Sequence, residues 1–367
     1  MNICICGDVH WCTYSSILRK RGKKYSLRLE NLIDSVNWVV DTAIDNGCTE
    51  LFFLGDFFDS CSLTAEEVSA LSELNMRADS LNKSFIVGNH EMGNSDLSYS
   101  TAHSFLINKN NTVYDKPAII KVGETLIYIL PYELEVNRKS SIRDYFPEKS
   151  FTDPCCRNRI LLSHNDIKGI QMGSFLSTDG FDLSELSDTF NLVVNGHLHN
   201  QQWVAGNVLN IGNLTGQNFS EDATKYPHQC MILDLDTLQY RLITNPRALN
   251  FTKLDFTKNN SIDYINDVSF ELGNNAVLSI RCNAGDYDYL KHRFDPDTVE
   301  SSVIPRNCNV VQSRIIIDRS SDFVSEREYT EKQRTLHVDY MKEFSGYVLN
   351  TIGCSDIVIK ELQKVTE

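Results

Sequence analysis

No stretch of this chain approaches the roughly 20 consecutive apolar residues needed to cross a bilayer, and Asp8 and His10 arrive before any signal-like apolar run can form. No membrane segment is expected, and the expected location is the cytoplasm. C-x-x-C pairs are also missing. The 11 cysteines are scattered, and a chain of 367 residues does not depend on disulfide staples. They are expected to be reduced, with Cys4 and Cys6 in an apolar strand and Cys155 and Cys156 in a loop. Positive charge is the third scarcity: 35 Lys and Arg stand against 49 Asp and Glu, a formal net charge of -14. That balance weighs against tight unaided binding to nucleic acid, which relies on cationic side chains to neutralise phosphates. Divalent cations, a local basic segment or a partner subunit would offset it. No internal repeat or low-complexity tract is present.

What is present is an ordinary globular composition, 41% hydrophobic and 23% charged, in a chain long enough for at least two domains. Up to about residue 250, short apolar runs alternate with longer amphipathic ones, the pattern of an α/β layered domain. Strands are predicted at Ile3–Cys6, Leu51–Leu54, Phe85–Val87, Leu126–Leu130, Ile160–Ser163 and Leu192–Asn195. Leu29, Leu32, Ile33, Val36, Val39, Val40 and Ala43 recur at helical spacing until Asn46 and Gly47, and a second helix is predicted from Ala65 to Leu81. The style changes near Asn259. A small α+β unit is expected over 258–318, with a strand, helix and strand at Ala276–Arg281, Tyr287–Phe294 and Val310–Ile317. From 321 to 367, Leu336, Tyr340, Met341, Phe344 and Val348 form one apolar stripe and Ile357, Leu362 and Val365 another, predicting two helices.

The residues that carry chemistry each follow a predicted strand: Asp8-Val9-His10, Gly55-Asp56, Gly88-Asn89-His90-Glu91, His164, and Gly196-His197-Leu198-His199. Polar groups just past the carboxyl ends of consecutive strands gather along one sheet edge, where α/β proteins build their sites. Any one piece alone reads as a turn or a core histidine, but five in this order read as one site. Two Asp, one Asn carbonyl and four His mix hard oxygen with borderline nitrogen donors, which suits manganese, iron or zinc better than calcium. A pair of divalent ions is implied, with Asp56 as the candidate bridge. In an extended segment residues two apart share a side, so Asp8 and His10, and likewise His197 and His199, are each expected to reach one cluster. His103, His228, His292 and His337 lack that context and read as ordinary residues.

The order Asp-x-His, Gly-Asp, Gly-Asn-His-Glu, His, Gly-His-x-His resembles the calcineurin-like metallophosphoesterases over about residues 1–245. The resemblance implies a four-layer α-β-β-α sandwich. Within that superfamily the spacing, the Gly-Asp-Phe-Phe-Asp stretch at Gly55 to Asp59 and the extra carboxyl-terminal third look like the SbcD-type repair and recombination nucleases, among them the phage recombination endonuclease subunit. The tail matches in layout only.

That likeness implies a nuclease domain over 1–250, a DNA-gripping capping domain over 258–318 and a helical segment over 321–367 that docks on an SMC-like ATPase of the SbcC type. By the same likeness Asp8, His10, Asp56 and His199 hold one ion and Asp56, Asn89, His164 and His197 the other, most plainly manganese. By that likeness His90 stays outside both ligand sets and protonates the leaving oxygen, with Glu91 as the candidate residue to orient it. Some relatives carry a histidine where this chain has Asp59, which leaves that position without an assigned role. The implied function is metal-dependent exonuclease or endonuclease cleavage of DNA by a homodimer. Arg19, Lys20, Arg21, Lys23 and Lys24 follow the first motif and are the candidate DNA contacts, against the plainer reading of a solvated surface loop. A small-substrate phosphodiesterase or phosphatase shares the metal core and is the competing enzyme reading. A non-catalytic adaptor is the competing reading from another class, and retention of every ligand and of His90 argues against it.

Overall fold

Along Asn2–Cys6, Ile3 and Ile5 face one way and Cys4 and Cys6 the other, and both sets are buried. A strand covered on both faces belongs to the middle of a layered structure. The same alternation recurs in Cys48–Leu54, where Phe52 and Leu54 oppose Leu51 and Phe53, and in Thr125–Leu130, where Ile127 and Ile129 oppose Leu126, Tyr128 and Leu130. This is a computed structural model that describes residues 1–18, 20–74, 80–172, 175–297, 307 and 309–318. The chain divides into two compact units, Met1–Ile316 and Ile317–Glu367. The helices expected over 321–367 lie outside the described residues.

Two six-stranded sheets pack face to face. From edge to edge the first runs Tyr240–Thr244, Gln229–Asp234, Asn2–Cys6, Cys48–Leu54, Asn82–Ile86 and Asn111–Tyr114, the last four strands parallel. The second runs Gln202–Ala205, Val208–Asn210, Leu192–Asn195, Asn158–Ser163, Thr125–Leu130 and Ala118–Val122, with the four inner strands parallel. Ile3, Ile5, Phe52, Leu54 and Met231 of the first sheet meet Ile127, Ile129, Ile160, Leu162 and Val194 of the second in one buried cluster.

Outside the first sheet lies helix Leu27–Asp45, whose Leu29, Leu32, Val36, Val39, Val40 and Ala43 are all buried. Ser26 caps it by accepting from the Leu29 amide at 3.1 Å, and Gly47 ends it at φ 65°. Helix Leu183–Thr189, Phe146 and Phe151 cover the outer face of the second sheet. The result is the four-layer α-β-β-α sandwich expected from the sequence. The second predicted helix is shorter than expected: it spans Ala65–Ala70 and tightens into a 3-10 turn at Leu71–Glu73, while 75–79 lie outside the described residues.

A third sheet joins Asn250–Asp255, Ala276–Cys282 and Val310–Ile317, with helices Ile262–Glu271 and Tyr287–Phe294 packed on it around Leu254, Ile265, Leu278, Ile280, Leu290 and Phe294. Its first strand lies upstream of residue 258, where the small unit was expected to begin.

Ile129 is fully buried between the two large sheets. Ile129→Ala should therefore cost about 2–5 kcal/mol of stability through lost transfer energy and a residual cavity. Urea unfolding measures it, and a change within about 0.5 kcal/mol, the range of surface substitutions, would contradict an inter-sheet core at this position.

Candidate metal centre

Asp8 and His10 follow strand Asn2–Cys6, Asp56 follows Cys48–Leu54, and Asn89 and His90 follow Asn82–Ile86. His164 follows Asn158–Ser163, and His197 and His199 follow Leu192–Asn195. Because these strands are parallel neighbours within the two stacked sheets, their carboxyl ends bring the loops together. Three of the side chains sit on left-handed backbone: His10 at φ 52°, Asp56 at φ 47° and His197 at φ 80°. Non-glycine residues adopt that region rarely, and it concentrates at functional sites. Gly55 precedes Asp56 at φ 83°, where a Cβ would run into the His164 imidazole, and a Cβ on Gly88 would run into the Asp56 carboxylate.

Three groups of atoms converge, two of them at the ends of the site and a third, His10, Asp56 and His90, between them. Asp8, His10 and His199 form one of the end groups, and Asp56, His164 and His197 the other, with ligand atoms within 4.8 Å of one another in each. Asp56 Oδ2 lies 3.1 Å from His164 Nε2 and 3.9 Å from His10 Nε2, between the two groups. Asn89 Oδ1 completes the second at 3.1 Å from His164 Nε2 and 3.0 Å from His197 Nδ1. The expectation that each histidine-containing pair serves one cluster holds for Asp8 and His10 but not for His197 and His199. His197 and His199 go to different groups, the division between two ions that the family resemblance implied.

Proton positions follow from the partners. His10 Nδ1 is 2.8 Å from Asp59 Oδ1 and His199 Nδ1 is 2.7 Å from Glu221 Oε1; carboxylates only accept, so both Nδ1 atoms donate. Their Nε2 atoms, 3.0 Å apart, then present lone pairs to each other. His164 donates through Nδ1 to the Leu54 carbonyl at 2.6 Å, and His197 through Nε2 to Asp166 at 3.0 Å. Their remaining nitrogens lie 3.3 Å apart beside Asn89 Oδ1 and Asp56 Oδ2. Asp8 Oδ2 is buried with no hydrogen-bond partner, 3.9 Å from both His10 and His199.

Imidazoles and acceptor oxygens converging over buried carboxylates call for positive charge at both points. The electrostatics agree. Burial disfavours a charged His164, yet Asp56 and then Asp8 push it up to about 10. Asp56 is held well below the usual carboxylate range in spite of its burial, chiefly by His164. The donor set therefore fits two divalent cations sharing Asp56, with Asp8, His10 and His199 on one side and Asn89, His164 and His197 on the other.

A family model for calcineurin-like phosphoesterases matches residues 1–201. The chain belongs to that family. Calcineurin-like phosphoesterases are metal-dependent hydrolases of phosphoesters. Similar solved structures include TT1561 of Thermus thermophilus, at 13% identity over 66% of this chain and 98% of that one with a TM-score of 0.38. Yfce, a phosphoesterase from E. coli, matches at 13% identity over 67% of this chain and 100% of that one, TM-score 0.28. Purple acid phosphatase PPD1 from yellow lupin seeds matches at 16% identity over 55% of this chain and 38% of that one, TM-score 0.37. A search of curated proteins gives no significant match.

In this phosphoesterase His90 stands at the open side of the centre. Its side chain is 43% exposed, against 0–2% for His10, His164, Asp8 and Asp56. Its backbone amide donates to Asp56 Oδ1 at 2.8 Å, and its ring meets His10 edge-on with centroids 4.7 Å apart. Its Nδ1 lies 3.1 Å from the Asp59 carbonyl, an acceptor, which leaves Nε2 free.

Glu91 does not do what the sequence suggested. Its carboxylate accepts from the Gly88 amide at 2.9 Å and the Phe58 amide at 3.3 Å, so it braces the two ligand loops rather than the His90 ring. Burial, and then Asp56, push it up to about 8. The basic stretch is also largely engaged: Lys20 pairs with Asp297 at 2.7 Å, Arg21 with Glu66 at 2.9 Å, and Lys24 with Glu73. Lys23 is exposed, and Arg19 lies outside the described residues.

Sequence reasoning missed the residues behind the ligands. Asp59, Asp166 and Glu221 orient His10, His197 and His199, and Arg138 in turn holds Asp166 at 3.2 Å. Asp166 lies two residues after His164, the same spacing as Asp8 and His10, and could have been found that way; Glu221 has no comparable signal.

Asp56→Asn removes the carboxylate charge that lies between the two groups. Manganese at about 100 times its dissociation constant should stabilise the native protein by about 2.7 kcal/mol per site and the variant by much less. Thermal unfolding with and without manganese, reversed by EDTA, decides the point, and equal gains in both proteins would rule out Asp56 as the shared ligand.

Proposed function

We propose that this phosphoesterase is a two-metal phosphodiesterase that cleaves DNA, the nuclease subunit of an assembly with an SMC-like ATPase. The observation that carries the phosphodiester chemistry is the pair of buried Asp and His clusters that meet at Asp56, with His90 beside them on the open side. When bound, two divalent cations supply polarisation of the phosphate and a bound water acidic enough to attack. The chain itself contributes the remaining steps. His90, whose Nδ1–H donates to the Asp59 carbonyl, acts in its doubly protonated form, passing the Nε2 proton to the departing oxygen and being left neutral. Asp59, Asp166 and Glu221 fix the ligand rings, so little reorganisation accompanies the reaction.

The choice of DNA rests on the SbcD-type layout of the sequence and on the third sheet that follows the catalytic domain. Manganese is the proposed ion because the mixed oxygen and imidazole donors suit it. A homodimer, and a docking role for residues 321–367, belong to the same reading. One observation favours the small-substrate alternative: Lys20, Arg21 and Lys24 are already paired with acids, in a chain of net charge -14. On the nuclease reading, duplex affinity then depends on the ATPase partner.

Manganese-dependent digestion of linear duplex DNA, native against His90→Asn, tests the activity. The expected loss is about 10²–10⁴-fold, the usual contribution of a general acid, with manganese binding retained. Hydrolysis of a cyclic nucleotide without any digestion of duplex would move the assignment to the small-substrate class. Deleting residues 321–367 should leave metal-dependent activity on single strands and abolish co-purification with the ATPase; retained association would refute the docking role.

A further inference from the structure

Three ligand histidines rest on carboxylates, and these differ in burial: Asp59 and Asp166 are 40% and 21% exposed, Glu221 only 2%. A buried charge acts in a low dielectric and is held only when all its lone pairs are used. Glu221 meets that condition. Oε1 accepts from His199 Nδ1 at 2.7 Å and Asn218 Nδ2 at 2.9 Å, and Oε2 from the Gln217 amide at 2.7 Å and Asn213 Nδ2 at 2.9 Å.

The segment that carries Glu221 is fastened at its other side to the third sheet. Phe219 packs edge-on against Phe251 at 5.3 Å, and the Arg314 guanidinium lies 5.3 Å from the Phe219 ring. Asp222 accepts from Thr252 Oγ1 at 2.9 Å, and the Ala223 amide donates to the Phe251 carbonyl at 2.8 Å. Phe251 and Thr252 belong to strand Asn250–Asp255 and Arg314 to strand Val310–Ile317. Seven residues thus connect a sheet outside the catalytic sandwich to one imidazole of one cluster.

We propose that Glu221 is a positioning residue for His199, and that residues 217–223 are the strut through which the third sheet sets the affinity of the cation site formed by Asp8, His10 and His199. The inference rests on the two-cation reading of the centre and extends it: the two sites differ in control, since the ligands of the other are oriented by Asp166 and the Leu54 carbonyl. Movement of the third sheet on a substrate or partner tightens or loosens one site only.

The test uses the full chain and manganese alone, with titration calorimetry and the electron paramagnetic resonance signal of an exchange-coupled manganese pair. In Glu221→Gln an amide NH₂ replaces one oxygen and deprives two donors of their acceptor. One of the two affinities should then fall about 10–100-fold, the usual effect of losing such a support, and the coupled signal should give way to that of a single ion. Glu221→Asp, which keeps the charge but is shorter, should recover part of the loss. Phe219→Ala, which cuts only the sheet end of the strut, should weaken the same site by a smaller factor. A coupled signal unchanged in Glu221→Gln, or equal weakening of both sites in Phe219→Ala, overturns the proposal while leaving the two-cation reading intact. Absence of any coupled pair in the native protein overturns that reading itself.

Discussion

Asp56 Oδ2 lies within 3.1 Å of one imidazole and 3.9 Å of another that belongs to a different cluster, and the rest of the site is arranged around that shared charge. Its other oxygen is occupied by the His90 amide, which leaves Oδ2 as the atom both halves have in common. A carboxylate this deeply buried costs several kcal/mol to desolvate unless cations or donors answer it. Here the protein supplies one amide and the His164 ring, and cations held by the two groups would complete the electrostatics of the fold. Glu91 shows the same constraint one layer further in. It is buried close enough to Asp56 for the charge to raise its pKa, and it is tolerated because two backbone amides of the ligand loops converge on it.

Holding these groups together requires a backbone that relaxed loops would not adopt. Left-handed residues cost on the order of 1–3 kcal/mol each when they are not glycine, and His10, Asp56 and His197 all carry that cost. Each is fixed by hydrogen bonds to the other loops. The Val9 and His10 amides donate to the Asp56 carbonyl at 3.1 and 2.9 Å, and the His197 amide donates to Asp8 Oδ1 at 3.1 Å. Strain is therefore held by contacts between strands far apart in sequence, which in turn require the inter-sheet core of Ile3, Phe52, Ile129 and Leu162 to hold those strands in register.

Much of this was legible in the sequence, for identifiable reasons. Ligands that close buried parallel strands stand out because the strands are apolar runs and the ligands interrupt them, as with Leu51–Leu54 before Asp56 and Ile160–Ser163 before His164. Edge strands such as Ala118–Val122 and Tyr240–Thr244 escaped notice because they are half-exposed and mixed in character. Gln229–Asp234 is buried and apolar and could have been read, but no motif follows it to draw attention. The orienting residues were the least legible part. Glu221 reaches His199 from a loop 22 residues away through tertiary packing, and no periodicity encodes that. The Glu91 assignment failed because adjacency to His90 was taken for contact, whereas the chain turns the two side chains to different partners.

Charge separates the two enzymatic readings. Cations at the centre give a phosphate a strong local attraction, but that field falls off within about 10 Å at moderate salt, and beyond it the surface of a chain with net charge -14 is repulsive to a polyanion. A small phosphodiester needs only the local field. A duplex needs neutralisation along many phosphates, and the basic stretch after the first motif has three of its side chains committed to Asp297, Glu66 and Glu73. One of those commitments, Lys20 to Asp297, ties the loop after the first motif to the end of helix Tyr287–Phe294 in the third-sheet unit. Open to solvent at both ends, that pair contributes little to stability, and the third sheet is held to the catalytic unit chiefly by the packing of Leu18 on Phe251 and Val277 and by the contacts of residues 219–223.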